Sequence, residues 1–212
     1  MAYLFLKAQG LSGKLVADIR IDGAGKKVTR SDNCRVSDLS VSSDNLTFTY
    51  EAKSLPYPID TSYYDNEKHT QADALSVIPF MDEMNYEGLS VSGLSDGYYG
   101  LTIGGEFIGR FTARELERGI NMALLQNTPQ YKQAMKIRQM NEERWLKERK
   151  MREFYWVEYN LMRKTGMLWA CDEAAVDTLR KYRPHDIFLQ WNGDLWLQSV
   201  SYTHLRAHET VL

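Results

Sequence analysis

After Pro129 the sequence runs to Lys164 without another proline or a glycine. About 35 residues free of breakers and rich in strong helix formers predict a single helix over 129–164, about 50 Å long at a 1.5 Å rise. Its start is marked by Thr128, an N-cap oxygen, and by Pro129 at the first helical position, where a missing amide costs nothing. Residues 130–164 hold ten Lys or Arg and five Asp or Glu. A nucleic-acid helix is disfavoured because acids dilute the positive charge on the same surface. The pattern reads as a helix with one packed face, carrying Trp145, Met151, Tyr155 and Met162, and one solvated face.

Strands precede this helix, so the fold class is α+β: a small antiparallel β unit, then a β-hairpin and long α-helices. In "KLVADIRID" the residues Leu15, Ala17, Ile19 and Ile21 alternate onto one face, as in a half-buried strand. "CRVSDLSV" and "LTFTYEA" continue the period of two, and together they predict an antiparallel unit over 13–55. Pro56 and Pro58 end it, and 56–71 reads as a connector. Residues 72–85 have helical spacing with a kink at Pro79. "EGLSVSGL" reads as a strand. Tyr99, Leu101 and Ile103 alternate into Gly104-Gly105, a two-residue hairpin turn, with a return strand through Phe111. Thr112 and Glu115 form a capping box that opens a helix. After 166 the pattern gives a helix around 172–182 and then an aromatic-rich extended piece to 199.

The stretch "GLSDG", residues 93–97, matches the G-x-S-x-G pattern of serine nucleophiles. A nucleophile elbow needs a helix directly after the serine. Here a strand follows, and Ser-Asp-Gly is ordinary turn chemistry, so Ser95 is read as a turn residue. Asp65, Glu67 and His69 are a weak metal candidate in a polar loop, where a solvated histidine is the commoner outcome. His185 sits in "RPHD", a turn. Trp169, Trp191 and Trp196 either stack on carbohydrate or anchor the core, the core being the commoner use. No phosphate loop and no H-E-x-x-H occurs. The expected site residues are therefore none of the catalytic, cofactor-binding or metal kinds, and no cofactor is expected.

The 43% hydrophobic content supplies a real core. A net charge of −2 gives no field favouring nucleic acid or an acidic membrane. No run of 18 apolar residues exists, so no membrane span is expected. Cys34 and Cys171 are far apart and form no C-x-x-C, which disfavours zinc and leaves their pairing open. Residues 1–10 read as an amphipathic helix ending at Gly10, with Leu4, Phe5 and Ala8 on one side.

His204 and His208 lie in the C-terminal run "VSYTHLRAHETVL". Residues 200–210 back-translate to a nucleotide string that looks like a sequencing adapter read in frame. Residues 200–212 are accordingly expected to be an artefactual tail that packs on nothing.

Three stretches carry a family resemblance: "MAYLFLKAQGL" (1–11), "GYYGLTIGGEFIGRFTARELERGINMALL" (97–125) and "NTPQYKQAMKIRQMNEERW" (127–145). Together they resemble the C-terminal portion of bacterial members of the SGNH/GDSL hydrolase superfamily. The resemblance implies a parent esterase acting on acyl esters, plausibly of carbohydrate, and secreted or periplasmic. It places the nucleophilic Ser, the oxyanion Gly and Asn, and the catalytic Asp and His upstream of Met1. The chain itself has no G-D-S near its start and no D-x-x-H. Its expected partner is that missing N-terminal catalytic domain.

The expected division is a last catalytic-domain helix over 1–12, the β unit over 13–55, the connector over 56–71, an α+β region over 72–199 with hairpin 98–111 and helix 129–164, and the tail. A non-catalytic carbohydrate-binding or protein-interaction module is the alternative function.

Overall fold

The computed structural model describes residues 2–43, 45–61 and 68–209, with side chains through Val200. The chain is α+β and divides into two compact units, 1–138 and 139–212.

The first unit is built on strand β1 (Ala17–Asp22), which lies inside a four-stranded sheet. β1 pairs antiparallel with β2 (Lys27–Asp32) and parallel with β5 (Glu87–Ser92), and β5 pairs with the short β8 (Ile120–Asn121). The strands of 13–55 thus pair antiparallel, and β1 reaches beyond that stretch to pair with β5 as well. The reason shows in β1's burial: Ala17, Asp18 and Ile19 are buried in succession, as in a strand covered on both faces. Asp18 tolerates that position because Arg20 and Arg30 each reach its carboxylate at 3.1 Å. β3 (Cys34–Val41) and β4 (Leu46–Ala52) form a separate antiparallel pair.

Ile19, Ile21, Leu89, Val91, Leu116 and Met122 make the core of this unit. Burying one such aliphatic side chain stabilises by about 1.5–3 kcal/mol. β6 (Tyr98–Ile103) and β7 (Glu106–Thr112) form the hairpin. Its turn residues Gly104 and Gly105 have φ of 60° and 85°, the left-handed pair that a two-residue turn requires. Thr112 and Glu115 close a capping box at the start of α3 (Ala113–Arg118).

Residues 71–84 do not make one kinked helix. A 3₁₀ turn over Gln71–Ser76 is capped by Thr70 and Asp73, and a separate single turn, α2 (Phe80–Glu83), follows Pro79. The N-terminal helix α1 (Ala2–Ala8) is held by polar contacts: Tyr3, Lys7 and Ser12 all donate to the Glu83 carboxylate. Its apolar side chains Leu4 and Phe5 stay 59% and 63% exposed.

The unit boundary falls within α4 (Pro129–Val157), which Thr128 caps by accepting from the Tyr131 amide. The helix does not bury the face expected of it. Trp145, Met151 and Tyr155 are all exposed, and only Met162, beyond α4, is buried. The charges on this stretch serve neighbouring side chains, with Arg149 and Arg152 each 6.0 Å from the Trp145 ring centroid.

In the second unit the chain passes from α4 into a π turn over Glu158–Met162, then α5 (Glu173–Tyr182) and α6 (Ile187–Glu209). The extended piece expected to follow 182 is helical. Leu189, Gly193, Trp196 and Val200 recur at spacings of four, three and four, and all four are buried. A Cβ at Gly193 would meet Arg183 and Leu179 at 3.5 Å, an ordinary contact distance. α6 also overturns the tail expectation at its first residue, since Val200 is 2% exposed and belongs to the core with Val157, Leu161, Leu179 and Leu189.

Candidate functional site

The π turn puts a carboxylate inside the second unit. Phe154, Val157, Leu161 and Met162 follow a helical spacing, and Glu158 falls on the same buried face. One extra residue in a helical turn redirects the side chains after it, and such turns gather at functional sites. Glu158 is 1% exposed. Its Oε1 accepts from the indole of Trp196 at 2.6 Å, and its Oε2 accepts from the main-chain amide of Trp169 at 2.8 Å. No lysine or arginine among the described residues forms an ion pair with it.

Trp169 has φ of 63°. For a bulky side chain this left-handed conformation is an outlier, and it persists only where neighbouring structure imposes it. The Glu158 bond does so by fixing the Trp169 amide. The ring then stands against Tyr155 and Tyr159, with centroids 5.8 Å away in both cases. The two tyrosine centroids are 6.2 Å apart. The three residues are 41–48% exposed.

A second ring group joins Trp156, Phe188 and Trp191, and Trp156 also lines a groove of about 370 Å³ with Lys164, Tyr182 and His185. The three tryptophans singled out in the sequence therefore do not form one stacking surface. Trp196 is a core anchor, and Trp169 and Trp191 belong to different ring groups.

The first unit carries its own buried acid. Glu87 on β5 is fully buried and its Oε1 accepts from the Tyr50 hydroxyl at 2.9 Å, while Oε2 has no partner. Burial pushes the Glu87 carboxyl up, and burial together with Glu87 pushes the Tyr50 phenol up. Asn121 and Asn85 complete this polar layer: the Asn121 carboxamide accepts from the amides of Glu87 and Ala123 and donates to Asn85. Tyr50 also lines a cavity of about 510 Å³ with Lys53, Ile103, Pro129 and Gln130, and the buried Gln130 Oε1 has no partner.

Ser95 lies in the bend between β5 and β6, exposed, with its main-chain carbonyl accepting from the Tyr99 hydroxyl at 2.8 Å. Asp65 and Glu67 fall outside the described residues, and no metal-binding group occurs among the described ones. Cys34 and Cys171 are free thiols, both pushed up by burial. No described helix is long and apolar enough to cross a membrane. Glu158 and Glu87 were missed in the sequence. For Glu158 a signal existed, an acid occupying the apolar stripe of a helix. For Glu87, at the head of an unremarkable strand, there was none.

Residues 135–210 match the family described as the diltiazem deacetylase C-terminal helical domain. The solved structure of a gut microbial diltiazem-metabolizing enzyme is similar over nearly the whole chain, with 37% identity and a TM-score of 0.84. That similarity covers 99% of this chain and 48% of the other, so the chain spans about half the length of the enzyme it matches. No curated protein matches. These findings correct the SGNH/GDSL expectation: the stretches that carried it lie within a match to a diltiazem-metabolizing enzyme, and the C-terminal match is to a deacetylase helical domain. The helical-domain match also runs to residue 210, across most of the stretch read as an artefactual tail.

Proposed function

We propose that the chain is the non-catalytic C-terminal part of a deacetylase-like ester hydrolase, with the second unit as its helical accessory domain. The observation that carries this is the 37% identity over 99% of the chain to one half of a diltiazem-metabolizing enzyme. The substrate class that follows is an acetyl ester. A carbohydrate ester draws no support from the tryptophans, because Trp196 is spent on the core.

Acyl transfer needs a nucleophile, a base and an oxyanion site in one place. The buried acids here are engaged in holding the fold, Glu158 by two tryptophans and Glu87 by Tyr50. We place the catalytic groups in the half of the enzyme that this chain does not match. The test is turnover of p-nitrophenyl acetate by the purified chain, with buffer and denatured protein as controls. The expected result is no turnover above either control. Turnover blocked by a serine-directed fluorophosphonate would overturn the reading, and a label mapped to Ser95 would move the active site into this chain.

A further inference from the structure

We infer that the exposed rings of Tyr155, Tyr159 and Trp169, backed by the buried carboxylate of Glu158, form a binding site for an organic cation such as a substituted ammonium. Three observations converge on the place. The first is the triangle of ring centroids, with sides of 5.8, 5.8 and 6.2 Å. One ammonium group set against its exposed side lies within about 6 Å of all three centroids, the range over which a ring face attracts a cation.

The second is the backbone of Trp169. A left-handed tryptophan is costly, and glycine would hold the same turn without strain. The sequence keeps the large ring there, half exposed, where it contributes little to the core.

The third is Glu158. Buried carboxylates are ordinarily matched by a cation or a metal. This one is hydrogen-bonded by two neutral N–H groups, and no lysine or arginine among the described residues pairs with it. It holds the main-chain amide of Trp169 at 2.8 Å. A cation on the exposed rings meets the ring quadrupoles with this carboxylate close by. A neutral ligand of the same shape meets only the rings. The assignment does not depend on the esterase reading.

The experiment titrates the full chain with phenyltrimethylammonium and, separately, with its neutral carbon isostere tert-butylbenzene in matched low-percentage cosolvent, read by NMR of the indole N–H signals. The expected result is saturable binding of the cation with a shift at the Trp169 indole, and binding of the isostere at least tenfold weaker. Tyr159→Ala and Trp169→Gly should each weaken cation binding at least tenfold. Trp169→Gly should remain folded, as read by amide dispersion, because glycine accepts the φ of 63° and keeps the amide that Glu158 holds. The proposal fails if the cation does not saturate, if the isostere binds equally well, or if folded Trp169→Gly binds the cation as the parent chain does.

Discussion

Glu158→Ala tests how the second unit is held together. The substitution leaves the Trp196 indole and the Trp169 amide without their acceptor. Each buried donor left unpaired costs about 1–3 kcal/mol, so the gross loss is about 2–6 kcal/mol. Removing a buried charge returns part of that, because a carboxylate taken from water is itself expensive. The expected net destabilisation of the second unit is about 2–4 kcal/mol. Glu158→Gln keeps one acceptor and the side-chain volume, and should cost about 1–2 kcal/mol. Urea denaturation followed on α6 amide signals gives both numbers. A cycle with Trp196→Phe isolates the 2.6 Å bond, and its coupling should be about 1–2 kcal/mol. If both Glu158 variants lie within about 0.5 kcal/mol of the parent, or the coupling is zero, the carboxylate is no anchor and the account of Trp169's strain fails with it.

Gly193→Ala should stabilise the second unit by about 0.5–1 kcal/mol, since a Cβ there meets its neighbours at 3.5 Å and a helix interior gains from losing glycine; a loss in urea midpoint would count against the packing described. Glu87→Gln should raise stability more at pH 8 than at pH 4: burial raises the folded carboxyl's pKa, so the native acid destabilises the fold as pH climbs past its unfolded value, and a pH-independent effect would contradict this. The Glu83 carboxyl, held down at about 2 by hydrogen bonds from Lys7, Tyr3 and Ser12, should anchor α1 above about pH 4.5 and release it as pH falls toward 2. Hydrogen exchange on α1 should show that release, and Glu83→Gln should abolish its pH dependence. Ser95→Ala should change stability by less than about 0.5 kcal/mol, as measured by thermal melting, because only the main chain of that residue is bonded.

Local signals carried far in the first unit. The Gly104-Gly105 turn, the Thr112–Glu115 box and the Thr128 cap all act over a few residues, and each forms as its chemistry requires. Partnership was not legible. Nothing local in "EGLSVS" says that it pairs parallel with β1, because that choice belongs to the chain between them. The long helix misled in the opposite sense. Its apolar residues suggested a packed face, yet Trp145 and Met151 are exposed among arginines and glutamates that solvate them. In α6 an aromatic-rich run read as extended hid four buried positions at helical spacing. The candidate site was the least readable part. Tyr155 and Tyr159 sit one turn apart and could be paired on paper, but Trp169 joins them only through a left-handed backbone and a bond to Glu158.

The parallel pairing of β1 with β5 also sets an order of events. Ile19 lies opposite Leu89, and β2, β3 and β4 all fall between the two in sequence. Hairpins such as β3–β4 and β6–β7 close over a few residues and form early, whereas the central ladder must wait for a long loop to close. During synthesis β1 emerges well before its partner. Until β5 arrives, one edge of an apolar strand stands open, with Ala17, Ile19 and Ile21 uncovered, and that edge can pair with another nascent chain. The yield of folded protein should therefore depend on how quickly residues 23–86 are made and gathered, and a pause in that interval should cost more than one after Ser92.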